Sequence, residues 1–178
     1  MPTLQTTHLT IRPFTRDLML AAIDDPAAAG ALLALDVAAG WPNDDESGAL
    51  AFLAEELARD PALAEWGMHL FIQREAGIII GTSGFKGRPL PGGSVEIGYG
   101  IAPDYQGYGY ATEGVRALVD WALAQPIVTR VIADCFPDNH RSARVLTKVG
   151  FQQLPSSGGY LNWEVRRTAP RRAEPPRA

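Results

Sequence analysis

Apolar residues change their period several times along the chain, and each change marks an element. Leu9 and Ile11, within Thr7 to Phe14, alternate as a strand does, and Thr15-Arg16-Asp17 then offers a helix cap. Pro26 followed by Ala27 to Leu35 reads as a second, short helix. After Gly40-Trp41-Pro42, the positions Leu50, Leu53 and Leu57 mark a third helix, stopped before Pro61. From Trp66 the period becomes two: Trp66, Met68, Leu70 and Ile72 share one face, Glu75-Ala76-Gly77 turns, and Ile78 to Phe85 returns as the second arm of a hairpin. The stretch Arg88 to Gly93 is a further turn, and Ser94 to Ile101 extends the hairpin to a three-stranded antiparallel meander.

Helical spacing resumes at Ala111, Val115, Leu118 and Ala122, Pro126 interrupts it, and Val128 to Cys135 is an apolar strand. Strand, helix and strand in this order predict a crossover between parallel neighbours. Asn139 can cap a short helix carrying Ala143, Leu146 and Val149 and ended by Gly150, with Phe151 to Leu154 and Tyr160 to Arg167 as closing strands. The expected class is α/β with a mixed sheet.

Length and composition limit the functions on offer. The chain has 178 residues, enough for one domain with its own core. Residues 1–168 are read as that domain and 169–178, rich in proline and arginine, as a solvated tail. Cys135 is the only cysteine, so no internal disulfide or cysteine metal cluster can form. His8, His69 and His140 lack ligand spacing, so no metal is implied, and His69 reads as a structural histidine with its hydrogen bonds satisfied. The N-terminal segment lacks a leader pattern and no run approaches the roughly 20 apolar residues of a membrane span. A net charge of −4 argues against a broad phosphate-binding face. The expected location is cytoplasmic, with neither nucleic acid nor membrane as partner.

Chemistry concentrates where the strand Val95-Glu96-Ile97-Gly98-Tyr99-Gly100-Ile101 feeds Ala102 to Tyr105 and then Gln106-Gly107-Tyr108-Gly109-Tyr110-Ala111 at a helix start. Such a loop presents free backbone N–H groups and the positive end of the helix dipole, which suits a pyrophosphate. Gly107 and Gly109 allow a ligand to approach the backbone, and Thr112 adds a hydroxyl in the first turn. A P-loop requires a lysine that is absent here. The dinucleotide fingerprint requires Gly or Ala where Thr112 stands, although Asp134 on the next strand keeps a nucleotide-binding oxidoreductase as a rival.

A second motif follows one strand later, Asn139-His140-Arg141-Ser142 running to Gly150-Phe151. Together with Gln106 to Ala111 it resembles the GNAT N-acetyltransferases, whose pyrophosphate loop Gln/Arg-x-x-Gly-x-Gly/Ala is followed by Asn-x-x-Ser/Ala and Gly-Phe. Glu-Ile-Gly-Tyr before the loop, Gly-Tyr-Ala-Thr-Glu at its exit and Asn-x-x-Ser are similar to the branch of ribosomal-protein N-terminal acetyltransferases of the RimJ and RimL type. The resemblance covers residues 1–167.

This resemblance implies acetyl-CoA as co-substrate, an amine acceptor, and a V-shaped splay between the two central parallel strands. It implies that Gln106, Gly107, Tyr108, Gly109, Tyr110, Ala111 and Thr112 hold the pyrophosphate, that the backbone near Ile101 polarises the thioester, and that Asn139 and Ser142 lie near the sulfur. The tyrosine many relatives carry seven residues after the asparagine is replaced here by Leu146, so Ser142 inherits the thiolate-steadying role. Strand alternation leaves Glu96, Gly98 and Gly100 on one face, unless a bulge intervenes, with Glu96 as the expected base. Trp41, Tyr160 and Trp163 fall in segments that wall the acceptor side in relatives, and Asp36, Asp44, Asp45 and Glu46 in a helical region bordering it. A non-catalytic acyl-CoA sensor on the same fold is the nearest rival. The acceptor's identity is not legible, and a homodimer stays open.

Overall fold

The computed structural model describes residues 1–167, so the tail expected over 169–178 lies outside the described residues. Nine strands form one mixed sheet in the order β1-β2-β4-β5-β6-β7-β9-β8, with β3 paired to β5. Their ranges are β1 Leu4–Gln5, β2 Leu9–Pro13, β3 Asp36–Val37, β4 Met68–Gln73, β5 Ile78–Phe85, β6 Ser94–Ile101, β7 Arg130–Cys135, β8 Gln152–Ser157 and β9 Tyr160–Arg166. The helices are α1 Arg16–Asp24, α2 Pro26–Leu33, α3 Asp44–Arg59, α4 Tyr110–Ala124 and α5 His140–Val149. The mixed α/β class, the β4-β5-β6 meander and the parallel β6–β7 pair are all present.

Local chemistry accounts for most of the boundaries. Thr15 caps α1 by accepting from the Leu18 N–H, Pro26 opens α2 behind the Asp25 cap, and Gly150 ends α5 in the left-handed conformation that glycine tolerates. Helix α3 begins well before its apolar stripe. Asn43 and Glu46 form a reciprocal capping box, with the Asn43 side chain accepting from the Glu46 N–H and the Glu46 carboxylate from the Asn43 N–H. The strict alternation expected along β4 is broken by a register shift between Phe71 and Ile72, and His69 through Ile72 are all buried because both faces of the sheet are covered there.

The central strands diverge. Ser94, Val95 and Glu96 pair in parallel with Arg130, Val131 and Ile132, and no pairing between β6 and β7 continues beyond that point. β6 stays with β5 as far as Ile101, and β7 stays with β9 as far as Cys135. The result is the V-shaped splay. Ile97 to Ile101 pair with β5 in unbroken register, so alternation along β6 is regular and no bulge redirects its side chains.

Helices α4 and α5 lie on the face of β6 that carries Tyr99, and the first turn of α3 lies on the face that carries Gly100. On the α4 side, Phe71 packs against Gly114, where a Cβ would overlap the phenyl ring. His69 shares that side of β4 with Phe71. It is 0% exposed, and neither ring nitrogen has a hydrogen-bond partner among the described residues, so it is structural but not satisfied. Burial first, and the Met1 ammonium second, lower its pKa to about 4, which keeps the ring neutral.

Candidate active site

The free edge of β6 is the first element of the site. The Glu96 carbonyl accepts from the Lys86 N–H and the Ala102 N–H donates to the Ile80 carbonyl, so the even-numbered backbone groups of β6 turn toward β5. Alternation then turns the Ile97 C=O and the Tyr99 and Ile101 N–H groups toward the gap left by β7, while the Ile97 N–H faces Ile132 at the last rung of the parallel ladder. Backbone groups in such a position need partners, and an extended chain bearing amides can supply them.

The second element is the start of α4. Gly109 is its N-cap, at φ 93°, and no side chain caps the first turn. Gly107, at φ 88°, also occupies the left-handed region, so both glycines are required by backbone conformation. The Gln106 side-chain amide donates to the Ile101 carbonyl at 2.9 Å, tying the loop to the end of β6. Tyr110 lies between two other rings of the loop, stacked on Tyr108 with centroids 6.0 Å apart and tilted against Tyr105 at 6.5 Å.

Basic groups come to this loop from elsewhere in the chain, which inspection of the loop alone misses. The Arg141 guanidinium on α5 donates to the Gln106 side-chain oxygen. A depression of about 540 Å³ beside the first turn of α4 is lined by Gly109, Thr112, Glu113, Arg116 and Lys148, among others. Uncapped N–H groups and the positive end of the helix dipole thus meet the Arg116 and Lys148 cations here, together with the Glu113 and Asp120 carboxylates.

The third element joins α5 to β6. Asn139 caps α5 by accepting from the Ser142 N–H at 3.0 Å, which explains the three-residue spacing of the motif in structural terms. The Tyr99 hydroxyl lies 2.8 Å from Ser142 Oγ and donates to the Ser142 carbonyl oxygen at 3.2 Å. Burial pushes the Tyr99 phenol up to about 12, against the Ser142 hydrogen bond, so it stays protonated. Leu146 is fully buried and offers no proton. In the sequence Tyr99 stands out only as the end of the Glu-Ile-Gly-Tyr stretch, because its partner Ser142 is 43 residues away.

The opposite face of β6 carries charge. Lys86 Nζ pairs with the Glu96 carboxylate and reaches Asp134 at 3.4 Å, and its stem crosses Gly98. Partial burial opposes the Lys86 charge, but hydrogen bonds to Glu96 and Asp134 outweigh it and raise the Lys86 pKa above the ordinary lysine value. Farther along, the Glu46 carboxylate lies directly over Gly100, and its Oε1 accepts from Thr82 Oγ1 at 2.8 Å.

The three aromatic candidates are not brought together. Trp41 is 2% exposed and packs on Phe14, with ring centroids 5.9 Å apart. Trp163 is 6% exposed and stands opposite Ala133, on the α5 side of the sheet. Tyr160 is 36% exposed and meets Phe136. Among the described residues no group of three or more His, Cys, Asp or Glu is placed to hold a metal ion, and no helix is long and apolar enough to cross a membrane.

Known proteins match both sequence and shape. The family model of the acetyltransferase (GNAT) domain matches residues 8–152. The uncharacterized N-acetyltransferase YjdG of Bacillus subtilis (strain 168) is 29% identical over 163 residues, 92% of this chain and 97% of that protein. The acetyltransferase from Agrobacterium tumefaciens str. C58 superposes with a TM-score of 0.66 at 26% identity, covering 93% of this chain and 95% of that one. RimL, the ribosomal L7/L12 alpha-N-protein acetyltransferase solved in complex with coenzyme A, superposes with a TM-score of 0.63 at 18% identity, covering 90% and 95%. With the splayed central strands, the uncapped helix behind a Gln-x-x-Gly-x-Ala loop and the Asn-capped α5 all in place, the chain belongs to the GNAT acetyltransferase family.

Proposed function

We propose that this protein transfers the acetyl group of acetyl-CoA to a primary amine by direct attack within a ternary complex. The observation that carries the reading is the end of β6–β7 pairing at Glu96 and Ile132, beside a helix N-terminus that no side chain caps. Pantetheine, an extended chain with amide groups, fits the free edge of β6 from the Ile97 carbonyl through Tyr99 to the Ile101 N–H, and the pyrophosphate fits the backbone of Gln106 to Thr112. That placement sets the thioester between the two faces of β6. The N–H groups near Ile101 stabilise the oxyanion as it forms, and Ser142, held by Tyr99, donates to the sulfur as the C–S bond breaks.

An alkyl ammonium is not nucleophilic, so a carboxylate on the acceptor face must take a proton before or during attack. Glu96 is the carboxylate the strand pattern favours, and Glu46 lies over Gly100, farther along the same face. Carboxylates on this face favour cationic acceptors over neutral ones. RimL acts on a protein N-terminus. A protein N-terminus and a small-molecule amine are the two acceptor classes proposed here, and the cytoplasm, where acetyl-CoA is made, is the proposed location.

Incubation with labelled acetyl-CoA, protein extract and small-molecule extract, followed by mass spectrometry, identifies the acceptor. The reading requires free thiol released in proportion to acetylated amine. Saturable acetyl-CoA binding without release in the presence of any amine would support the sensor instead.

A further inference from the structure

The geometry points to Glu46, and not Glu96, as the carboxylate that receives the acceptor amine and takes its proton. This assignment rests on the acetyl-transfer reading above. Three features hold the Glu46 carboxylate in place. Oε2 accepts from the Asn43 N–H at 3.0 Å, Oε1 accepts from Thr82 Oγ1 at 2.8 Å, and the group lies so close to Gly100 that a Cβ there would overlap it. Gly100 therefore serves a steric purpose on this strand: it admits an acidic side chain to the sheet surface.

Position along β6 separates the two carboxylates. Glu96 is the last residue of β6 to pair with β7, so it sits at the closed vertex of the V. Gly100 lies four residues on, alongside the open part of the cleft, and its neighbour Tyr99 turns to the other face to meet Ser142. The Glu46 carboxylate and the Tyr99–Ser142 hydroxyls thus flank the same section of strand from opposite sides. This arrangement suits an amine that approaches the thioester carbonyl from the Glu46 side while the departing sulfur is met by the hydroxyls on the other.

Charge separates them as well. Glu96 is matched by Lys86, which is held firmly protonated. Glu46 makes no ion pair with a Lys, Arg or His among the described residues. A carboxylate has about four lone-pair sites, and the two donors on Glu46 leave room for an ammonium.

The step balances within the groups named. The amine lone pair forms the C–N bond at the acetyl carbonyl carbon, and the C–S bond breaks with its electron pair going to sulfur. The proton lost from nitrogen passes to the Glu46 carboxylate and then to water, while the thiolate is protonated on the Ser142 side.

The test compares full-length Glu46→Gln and Glu96→Gln, using the best acceptor from a panel of free-N-terminus peptides, diamines and amino acids. Glutamine preserves the capping box, so Glu46→Gln should keep α3 intact. Its kcat/KM for the amine should fall by about 10²- to 10⁴-fold, the defect shrinking as pH approaches the acceptor's own pKa, with acetyl-CoA affinity unchanged. Glu96→Gln should lose far less and keep the wild-type pH profile. Gly100→Ala, which displaces the carboxylate without removing it, should reproduce the amine-specific loss and serves as the second variant if Glu46→Gln melts early. Wild-type kinetics across pH in a folded Glu46→Gln, with the pH-dependent loss appearing in Glu96→Gln, would overturn the assignment while leaving acetyl transfer intact. No amine-dependent thiol release from the wild-type protein would overturn the transfer reading and the assignment with it.

Discussion

The two faces of β6 are built in different ways. The face toward α4 and α5 is assembled from two continuous stretches of chain, Ile97 to Thr112 and Asn139 to Ser142, each a strand or helix end with its own loop. The opposite face is assembled from scattered positions: Glu46 from the first turn of α3, Lys86 from just beyond β5, and Asp134 from β7. A binding surface made of backbone groups and helix ends must be encoded locally, because N–H groups converge only where consecutive residues adopt the right turn. An acceptor surface made of side chains can draw on any element that reaches it. On the proposed assignment of the two faces, cofactor recognition therefore leaves a motif and acceptor recognition does not.

Apart from the Glu46 substitution, the largest effect that would sharpen this contrast is expected at Gly109. Gly109→Val places a branched residue at φ 93° and turns the first N–H groups of α4 away from the pyrophosphate. Hydrogen bonds to charged groups contribute about 1.5–3 kcal/mol each, so losing two corresponds to at least about 100-fold weaker acetyl-CoA binding by calorimetry. Unchanged affinity in a folded variant would mean that side chains such as Arg141 and Arg116 carry the phosphates, and the contrast would fail.

Acid should distinguish the two faces next. His69, beneath α4, has its pKa lowered to about 4 in the folded protein from the ordinary histidine value of 6.5. The unfolded chain binds a proton more readily, so stability present above pH 6.5 is lost as pH falls toward 4, a span worth about 3 kcal/mol. Urea unfolding at several pH values should show this slope in the wild type and a shallower one in His69→Phe. Equal slopes would mean that groups other than His69 carry the acid response.

A smaller effect is expected where the Tyr99–Ser142 bond joins the strand to α5. A neutral hydrogen bond contributes about 0.5–1.5 kcal/mol, so Tyr99→Phe should lower kcat by about two- to tenfold with little change in acetyl-CoA affinity. If Tyr99 acts by orienting Ser142, the double variant with Ser142→Ala should be no worse than Ser142→Ala alone. Additive losses would give Tyr99 a separate role.

What the sequence disclosed follows the same division. The meander, the α4 and α5 starts and the Asn139 cap rest on periodicity and turn chemistry within a few residues, and all are found. The splay came only through resemblance, since nothing in the β6 or β7 residues marks where their pairing stops. Strand β3 is two residues long and too short for periodicity, and it exists because Asp36 and Val37 lie alongside Ile78 and Ile79. Trp41 and Trp163 sit in segments that wall the acceptor side in relatives, yet here their rings are core. Glu46 was visible only as one of several acids before Leu50. Its capping partner Asn43 was within reach of motif reading, but its approach to Gly100, 54 residues on, was not.

Residue-resolved hydrogen exchange with and without coenzyme A tests the division of β6 most directly. Coenzyme A should slow exchange at the amides of Tyr99 and Ile101, which face the gap, and at Tyr110 to Thr112 in the first turn of α4, whereas the Ile97 amide, already paired at the last rung with β7, should change little. The amides of Gly98 and Gly100, already turned to β5, should change little. Protection confined to other segments, or spread equally over odd and even positions of β6, would contradict the placement of the cofactor along that strand.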